Sequence, residues 1–167
     1  QAVFAQNVLA FDQGMEKDGS PVSNKGDGIN RSDASNALGA PDGDFVSLGF
    51  GGELTVDFGG PIYNVVGDDG TVIEITFDRA LYGDEQIEVY GTTGGGAQIF
   101  LGTITNKDDP FNLGGSTDDA TKGTFRLPAH VNKLVSITLV DVSDSNQSEF
   151  PNNADAFDVD SIEAYDP

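Results

Sequence analysis

Short runs in which apolar and polar residues alternate with a period of two recur along the whole chain. In residues 53–58, for example, Leu54, Val56 and Phe58 share one face. Successive side chains of a strand point to opposite faces, so this period predicts half-buried strands. The same pattern predicts strands over residues 3–11, 71–77, 86–90, 98–103, 124–127, 134–142 and 157–165. Short strands without a long amphipathic helix predict an all-β fold, an antiparallel β-sandwich of jelly-roll type.

The segments between these strands are rich in turn residues, at residues 67–70, 93–96, 108–110 and 151–153. One helical turn is predicted around residues 32–38, with Ser32 or Asp33 as its cap and Gly39 after it. The longest polar segment, residues 13–32, is predicted to be functional or tied down, because loops of that length are uncommon in compact domains.

Aspartate dominates the charge of the chain. Asp and Glu number 28 against 8 Lys and Arg, which gives a net charge of -20, and 21 of the 28 acids are Asp. Uncompensated carboxylates repel one another and strain a compact domain. The short side chains of Asp and Asn suit the oxygen ligands of a hard cation. The composition therefore predicts several bound Ca²⁺ ions and a less stable calcium-free form.

Size and composition predict a single domain over residues 1–167, at 17.5 kDa. The absence of Cys fits an extracellular domain stabilised by calcium, and equally a cytosolic protein. A pI of about 4.1 argues against nucleic acid and anionic membranes as partners. No apolar run has the length of a membrane-spanning helix, and the start at Gln1 lacks signal-peptide features, so we expect a mature or excised, monomeric domain of a larger protein.

The first candidate site is the turn-rich stretch Asn30 to Asp44. It offers the side chains of Asp33, Asn36, Asp42 and Asp44 together with many carbonyls, which is the donor mixture that Ca²⁺ takes. The alternative is a solvated loop with an aspartate cap. A Gly-rich turn follows at residues 49–52.

The second candidate site contains Asp155, Asp158 and Asp160. In a regular strand, Asp158 and Asp160 point to the same side, which is costly on an edge strand unless a cation lies between them. The alternative is a pair of exposed, solvated carboxylates. Phe157 and Val159 on the opposite face are expected to anchor this strand in the core.

The third candidate site is the pair Asp68 and Asp69, which could bind calcium or simply form a turn. Similar acidic clusters occur at residues 107–112 and 116–119. A further cluster at residues 141–146 is expected to face the return segment 152–160. No cluster has EF-hand spacing or the glycine-rich nonapeptide repeat.

Catalytic signals are few. His130, the only histidine, lies in a predicted turn, and no Gly-x-Ser-x-Gly motif is present. A zinc site is not predicted, because the chain has no Cys and only one His to act as ligands. A glycosidase carboxylate pair would be expected among aromatic sugar platforms, whereas the chain has no Trp and four dispersed Tyr. The sequence predicts that the chain is not an enzyme.

Residues 31–43, followed by residues 45–52, resemble a domain of bacterial cell-surface and secreted proteins, and residues 155–163 resemble its closing strand. Such domains are discoidin-like, galactose-binding-like jelly rolls. Very similar modules are the peptide-binding domains near the tip of calcium-dependent RTX adhesins. The resemblance spans residues 3–165 in element order, with specific motifs only in the stretches quoted. The segment 67–84 departs from the family pattern.

This resemblance implies several structural Ca²⁺ ions and a ligand groove built from long calcium-binding loops, around Asn30–Asp44 and Asp141–Asp158. It implies that Asp33, Asn36, Asp42, Asp158 and Asp160 are the principal metal ligands, and that a loop-bound calcium helps to hold a peptide's terminal carboxylate.

The leading hypothesis is therefore a calcium-dependent, non-catalytic module of an extracellular bacterial surface adhesin. It would bind a peptide or protein ligand on another cell, or a glycan, in adhesion or biofilm formation. Two alternatives stay open: a carbohydrate-binding module of a secreted or surface protein, which the absence of Trp disfavours, and a calcium-stiffened spacer domain.

Overall fold

The computed structural model describes residues 1–76, 82–111 and 120–167. Thirteen strands lie in these ranges: β1 (Ala2–Phe4), β2 (Asn7–Asp12), β3 (Val46–Ser47), β4 (Glu53–Asp57), β5 (Ile62–Tyr63), β6 (Gly70–Ile75), β7 (Gln86–Thr92), β8 (Gln98–Thr105), β9 (Asp109–Pro110), β10 (Ala120–Phe125), β11 (Lys133–Leu134), β12 (Ser136–Asp141) and β13 (Asp158–Tyr165). A 3-10 helix spans Ala34–Ala37, and the side chain of Asp33 caps it, as predicted.

Two antiparallel sheets make the sandwich. The first sheet has the order β1-β13-β6-β10-β9, with β3 also pairing with β13, and the second has the order β2-β4-β12-β7-β8. A small ribbon pairs β11 with β5. The predicted all-β, antiparallel β-sandwich is confirmed.

The core lies between the two sheets and follows the period-two pattern. In the second sheet, alternate residues of the central strands are completely buried: Leu54, Val56, Ile87, Val89, Ile137 and Leu139. The first sheet contributes Val72, Val159 and Ile162, which are equally buried, and Phe125. Buried apolar surface of this kind is the main stabilising contribution to the fold.

The predicted strand over residues 3–11 is two strands in different sheets, so that prediction is wrong. The amide of Ala5 donates to the carbonyl of Ile162 in the first sheet, and the next amide, Gln6, donates to Asp57 in the second. The chain therefore crosses between sheets at this point. Similarly, the predicted strand over residues 134–142 is divided at Val135, which is 43% exposed.

A second correction concerns the polar face of β6. The period-two pattern puts Glu74 and Thr76 on the face opposite Ile73 and Ile75, where a half-buried strand would expose them, yet both are buried, at 0% and 3% exposure. The reason is that both faces of β6 are covered: Val72, on the face of Glu74, belongs to the main core, and Ile75 on the other face packs with Phe45 and Ala120. Phe77, Asn112 and the predicted cluster at residues 116–119 lie outside the described residues.

Candidate functional site

A cleft opens at one end of the sandwich, where β6 ends and where β7 and β13 begin. Its cavity has a volume of about 250 Å³. Loops supply most of its wall, which consists of Lys25, Arg31, Thr76, Tyr82, Glu85, Pro151, Asn153, Asp155 and Asp158. The segments 30–44 and 141–158 were predicted to form the ligand site. The first contributes Arg31 to this cleft, and the second contributes Pro151, Asn153, Asp155 and Asp158.

Arg31 is the cation at the centre of the cleft. Its Nη1 donates to Oδ2 of Asp155 and its Nη2 donates to Oδ2 of Asp27, both at 2.9 Å. The guanidinium also lies over the ring of Phe45, 4.8 Å from its centre. Burial opposes its charge, but the nearby carboxylates of Asp155 and Asp158 outweigh burial and raise the pKa of Arg31. Arg31 is therefore held as a charged, fixed donor.

Ser47 joins the two aspartates of the cleft. Its hydroxyl lies 2.5 Å from Oδ1 of Asp158 and 3.1 Å from Oδ2 of Asp155. Burial raises the pKa of Asp158 well above its ordinary value, and the charges of Asp155 and Glu74 raise it further. The aspartates thus form one electrostatic unit with Arg31.

Glu85 lines the cleft, and Glu74 lies next to it. Both side chains are buried, and the hydroxyl of Thr76 donates to Glu74 and lies 3.4 Å from Oε2 of Glu85. Burial raises the pKa of Glu85 well above its ordinary value, and the charge of Glu74 adds to the effect. Asn106 positions this segment because it accepts from the amide of Glu85 and donates to the carbonyl of Gly83.

Aromatic rings pack along one wall of the cleft. Tyr82 lies edge-to-face with Phe150, with 5.5 Å between ring centres, and Phe150 lies edge-to-face with Phe50 at 5.3 Å. Gly83 is required beside this cluster, since a Cβ there would be 2.7 Å from the Phe150 ring. The tyrosines are dispersed in the sequence, so this cluster was not predicted.

The long loop 13–32 is tied down, as predicted. The Nζ of Lys17 donates to the carbonyls of Gln147 and Phe150, at 2.7 and 2.9 Å. Lys25 pairs with the carboxylate of Glu16, which is 6% exposed. The Lys17 contacts join the loop to the segment that leads into β13, and the Lys25 pair holds the loop internally.

The segment before β13 is strained where it enters the cleft. Ala156 has a φ of 63°, in the left-handed region that non-glycine residues rarely adopt. Asp141 stabilises this turn, since its Oδ2 accepts from the amide of Phe157 at 3.1 Å. The prediction that the 141–146 cluster faces the return segment is therefore confirmed. Burial raises the pKa of Asp141 to about 6.

The prediction that Asp158 and Asp160 lie on an edge strand is wrong. β13 has β1 and β3 on one side and β6 on the other. A β-bulge between Val159 and Ser161 interrupts its register. Asp158 contacts Ser47, whereas the carboxylate of Asp160 accepts from the amides of Asp42 and Gly43, at 3.2 and 3.1 Å. Burial raises the pKa of Asp160 to about 6.

The other predicted metal ligands have local hydrogen bonds of their own. Asp33 accepts from Ser35, Asn36 donates to the carbonyls of Asn30 and Phe45, and Oδ1 of Asp42 accepts from the amide of Asp44. Asp44 is exposed and close in sequence to this turn.

Asp68 and Asp69 lie at the opposite end of β13, beside Tyr165, and so do not share the cleft. Asp69 is buried and accepts from the amides of Val65 and Leu127, both at 2.6 Å. Asp68 pairs with Arg126 in an exposed ion pair. These contacts support the turn interpretation of the third candidate site.

Within residues 1–76, 82–111 and 120–167, no three His, Cys, Asp or Glu side chains are arranged to hold one metal ion. The oxygen donors of the cleft have the right chemistry for calcium. However, Arg31 already neutralises Asp155, so the described side chains do not fit a ready-made calcium site there.

The sequence alone did not identify Arg31, Tyr82 and Glu85 as lining residues of the cleft. It also did not identify Ser47 and Glu74 as contacts of the lining residues Asp158 and Thr76. Arg31 had a visible signal, because it is the only cation within the acidic stretch 30–44. Glu85 had no such signal, since its partners Thr76 and Asn106 lie in other segments of the chain. His130 is exposed in a turn, as predicted.

No protein-family profile matches this chain, and no curated protein matches it. Among solved structures, the crystal structure of the C-terminal domain of a chitobiase from Bacteroides fragilis is 13% identical, with a TM-score of 0.56 over 95% of this chain and 91% of that domain. A CBM32 of AlyQ in complex with 4,5-unsaturated mannuronic acid is 10% identical, with a TM-score of 0.48 over 98% of each chain. The chain shares the β-sandwich fold of the chitobiase domain.

In the described residues, no helix is long and apolar enough to cross a membrane.

Proposed function

We propose that this chain is a non-catalytic binding module and that its acidic cleft binds a carbohydrate. The observation that carries the proposal is the cavity of about 250 Å³ surrounded by fixed polar side chains. Its volume lies just below the range of roughly 300–1,000 Å³ for small-molecule pockets, which suits a single sugar residue. The fold similarity to the chitobiase domain agrees with this proposal, which does not rest on it.

The chemistry of the wall matches a ligand that both donates and accepts hydrogen bonds. Asp155, Asp158 and Glu85 supply acceptors, whereas Arg31 and Asn153 supply donors. Sugar hydroxyls do both. Charge-assisted hydrogen bonds are the stronger kind, and the side chains here are held in place before any ligand arrives. Tyr82 adds an aromatic surface to the wall, although the four tyrosines are dispersed in the sequence.

A hydrolase is the second candidate, because burial raises the pKa of both Glu85 and Asp158 in one cleft. Glycoside hydrolysis needs one protonated and one ionised carboxylate. Both pKa values are raised here, which favours a shared-proton network over an acid and base pair. We expect no release of product when the module is incubated with any glycan that it binds.

Asn153 offers the sharpest test of the binding proposal. It is exposed and lines the cavity, whereas its neighbour Asn152 is exposed and does not. Binding of a glycan panel should be measured by calorimetry for the wild type, Asn153→Ala and Asn152→Ala. Loss of one hydrogen bond is expected to weaken binding by about fivefold in Asn153→Ala alone. Failure of every glycan to bind, or equal effects of the two variants, would refute the proposal.

We also propose calcium as a cofactor, with donors from the loop 30–44 and from Asp160, whose carboxylate contacts that loop at Asp42 and Gly43. The support is the donor chemistry and the net charge of -20. A more specific proposal is that the chain is an extracellular module of a bacterial adhesin and binds a peptide or protein ligand. It would gain support if no glycan bound and calcium stabilised the fold. Its test is a peptide panel measured with and without Ca²⁺.

A further inference from the structure

The outer edge of β8 is an unusual edge for so acidic a protein. β8 is eight residues long and contains no charged residue and no proline. The other sheet edges are short, contain a proline, or contain a charge, as β1, β9 and β2 do. Natural sheets usually protect long edges with charges or proline, because an open edge can pair with another strand.

Register shows which backbone groups of β8 face outwards. The carbonyls of Gln86 and Thr92 in β7 accept from Val142 and Val135 on the β12 side. Opposite residues of an antiparallel pair alternate between bonded and non-bonded positions. Four residues of β8 therefore point their backbone groups away from β7. They are Thr105, Thr103, Phe100 and Gln98, which lie opposite Gln86, Glu88, Tyr90 and Thr92 of β7.

Most of these outward groups have no hydrogen-bond partner among the described residues. The amide of Thr105 donates to Oδ2 of Asp108 at 3.1 Å, which closes that end of the edge. No residue in the described ranges bonds to the outward backbone groups of Gln98, Phe100 or Thr103. A bulge at Leu101 separates Thr103 from the other two residues. Gln98 and Phe100 thus form the start of an open ladder, which Thr103 continues past the bulge.

The side chains along this edge suit a strand partner as well. Phe100 is 52% exposed and lies edge-to-face with Tyr90, with 5.5 Å between ring centres. On the other face, Ile99 and Leu101 are partly buried against the main core. An added strand with alternating residues would place β-branched side chains beside Phe100 and extend the core over Ile99.

We propose that the edge of β8 binds an extended peptide segment of another protein, added as a further strand to the second sheet. Open backbone donors and acceptors at strand spacing are matched by another extended backbone. A second copy of this chain would bring a further charge of -20, and the two copies would repel each other. The segment is therefore neutral or basic. This inference is independent of the cleft and of its ligand.

The test uses a synthetic peptide of alternating Val and Thr with Lys at each end, added to the whole chain at low salt. Binding is followed by NMR amide exchange. We expect the amides of Gln98, Phe100 and Thr103 to become protected. The same peptide with N-methyl groups on its internal amides cannot pair as a strand and should not bind.

Two exposed residues on opposite edges provide matched variants. Phe100→Lys places a like charge beside the peptide and removes the aromatic contact, and we expect about fivefold weaker binding. Leu9→Lys, at 55% exposure on β2, makes the same change of charge at the other edge and should leave binding unchanged. Binding of the N-methylated peptide, or equal effects of the two variants, would overturn the proposal. Self-association of the chain through β8 at high salt would overturn the choice of partner.

Discussion

Replacing Arg31 with methionine tests the electrostatic centre of the cleft. The Arg31 and Asp155 side chains are 8% and 4% exposed, so the variant leaves a buried carboxylate beside Asp158 without its cation. Breaking a buried pair in this way costs about 3–5 kcal/mol. The partly exposed contact with Asp27 adds at most about 1 kcal/mol. For a domain of this size, the loss of the buried pair alone should lower the Tm by roughly 6–20 °C.

The assay is urea unfolding at pH 7, followed by far-UV circular dichroism. Arg126→Met is the matched control, because Arg126 and Asp68 form an ion pair whose side chains are 67% and 40% exposed. That variant should cost less than about 1 kcal/mol. Equal, small losses in both variants would refute the reasoning, since Asp155 would then carry no uncompensated charge. Combining Arg31→Met with Asp155→Asn should cost less than the sum of the single changes.

Three further predictions concern pH, calcium and the third candidate site. Burial raises the pKa of Asp141 to about 6, above its value in the unfolded chain. The contribution of Asp141 to the free energy of unfolding is therefore fully present below its unfolded pKa and is lost as pH rises through 6. Asp141→Asn should make the free energy of unfolding, measured in urea, depend less on pH between the unfolded pKa and pH 6. If calcium binds as proposed, a concentration of 100 times its Kd adds about 2.7 kcal/mol, so excess EDTA should lower the Tm by roughly 5–11 °C, and an unchanged melt would count against the ion. Asp69→Ala should cost about 3 kcal/mol in urea unfolding, because it leaves the buried amide of Leu127 and the partly buried amide of Val65 without acceptors. Asp68→Ala should cost under about 1 kcal/mol, and equal losses would contradict the turn interpretation.

Local patterns predicted the elements well wherever an element depends on its own residues. The run 53–58 became β4 because its apolar face is buried in any sandwich of this kind. Asp33 caps the short helix because capping needs only a neighbouring amide. Strand breaks were missed at Ala5 and Val135, because the chain changes pairing partners there without a turn residue.

The candidate site was only partly predictable. The segments 30–44 and 155–160 were identified from their acidity, and residues of both line or border the cleft. The prediction that Asp158 and Asp160 share a cation depended on a regular strand. The bulge in β13 removes that regularity. The burial of Glu74 was not predicted, because alternation cannot distinguish a strand with one buried face from a strand whose two faces are both covered.

The sequence by itself determined the fold class, the turn positions and the acidity of the surface, because these follow from backbone preferences and from charge. Only the tertiary structure decided which charges meet. Arg31 contacts Asp155 across 124 positions of sequence, and Ser47 contacts Asp158 across 111. Such contacts depend on the order and register of the strands and on loop closure, which no local pattern encodes.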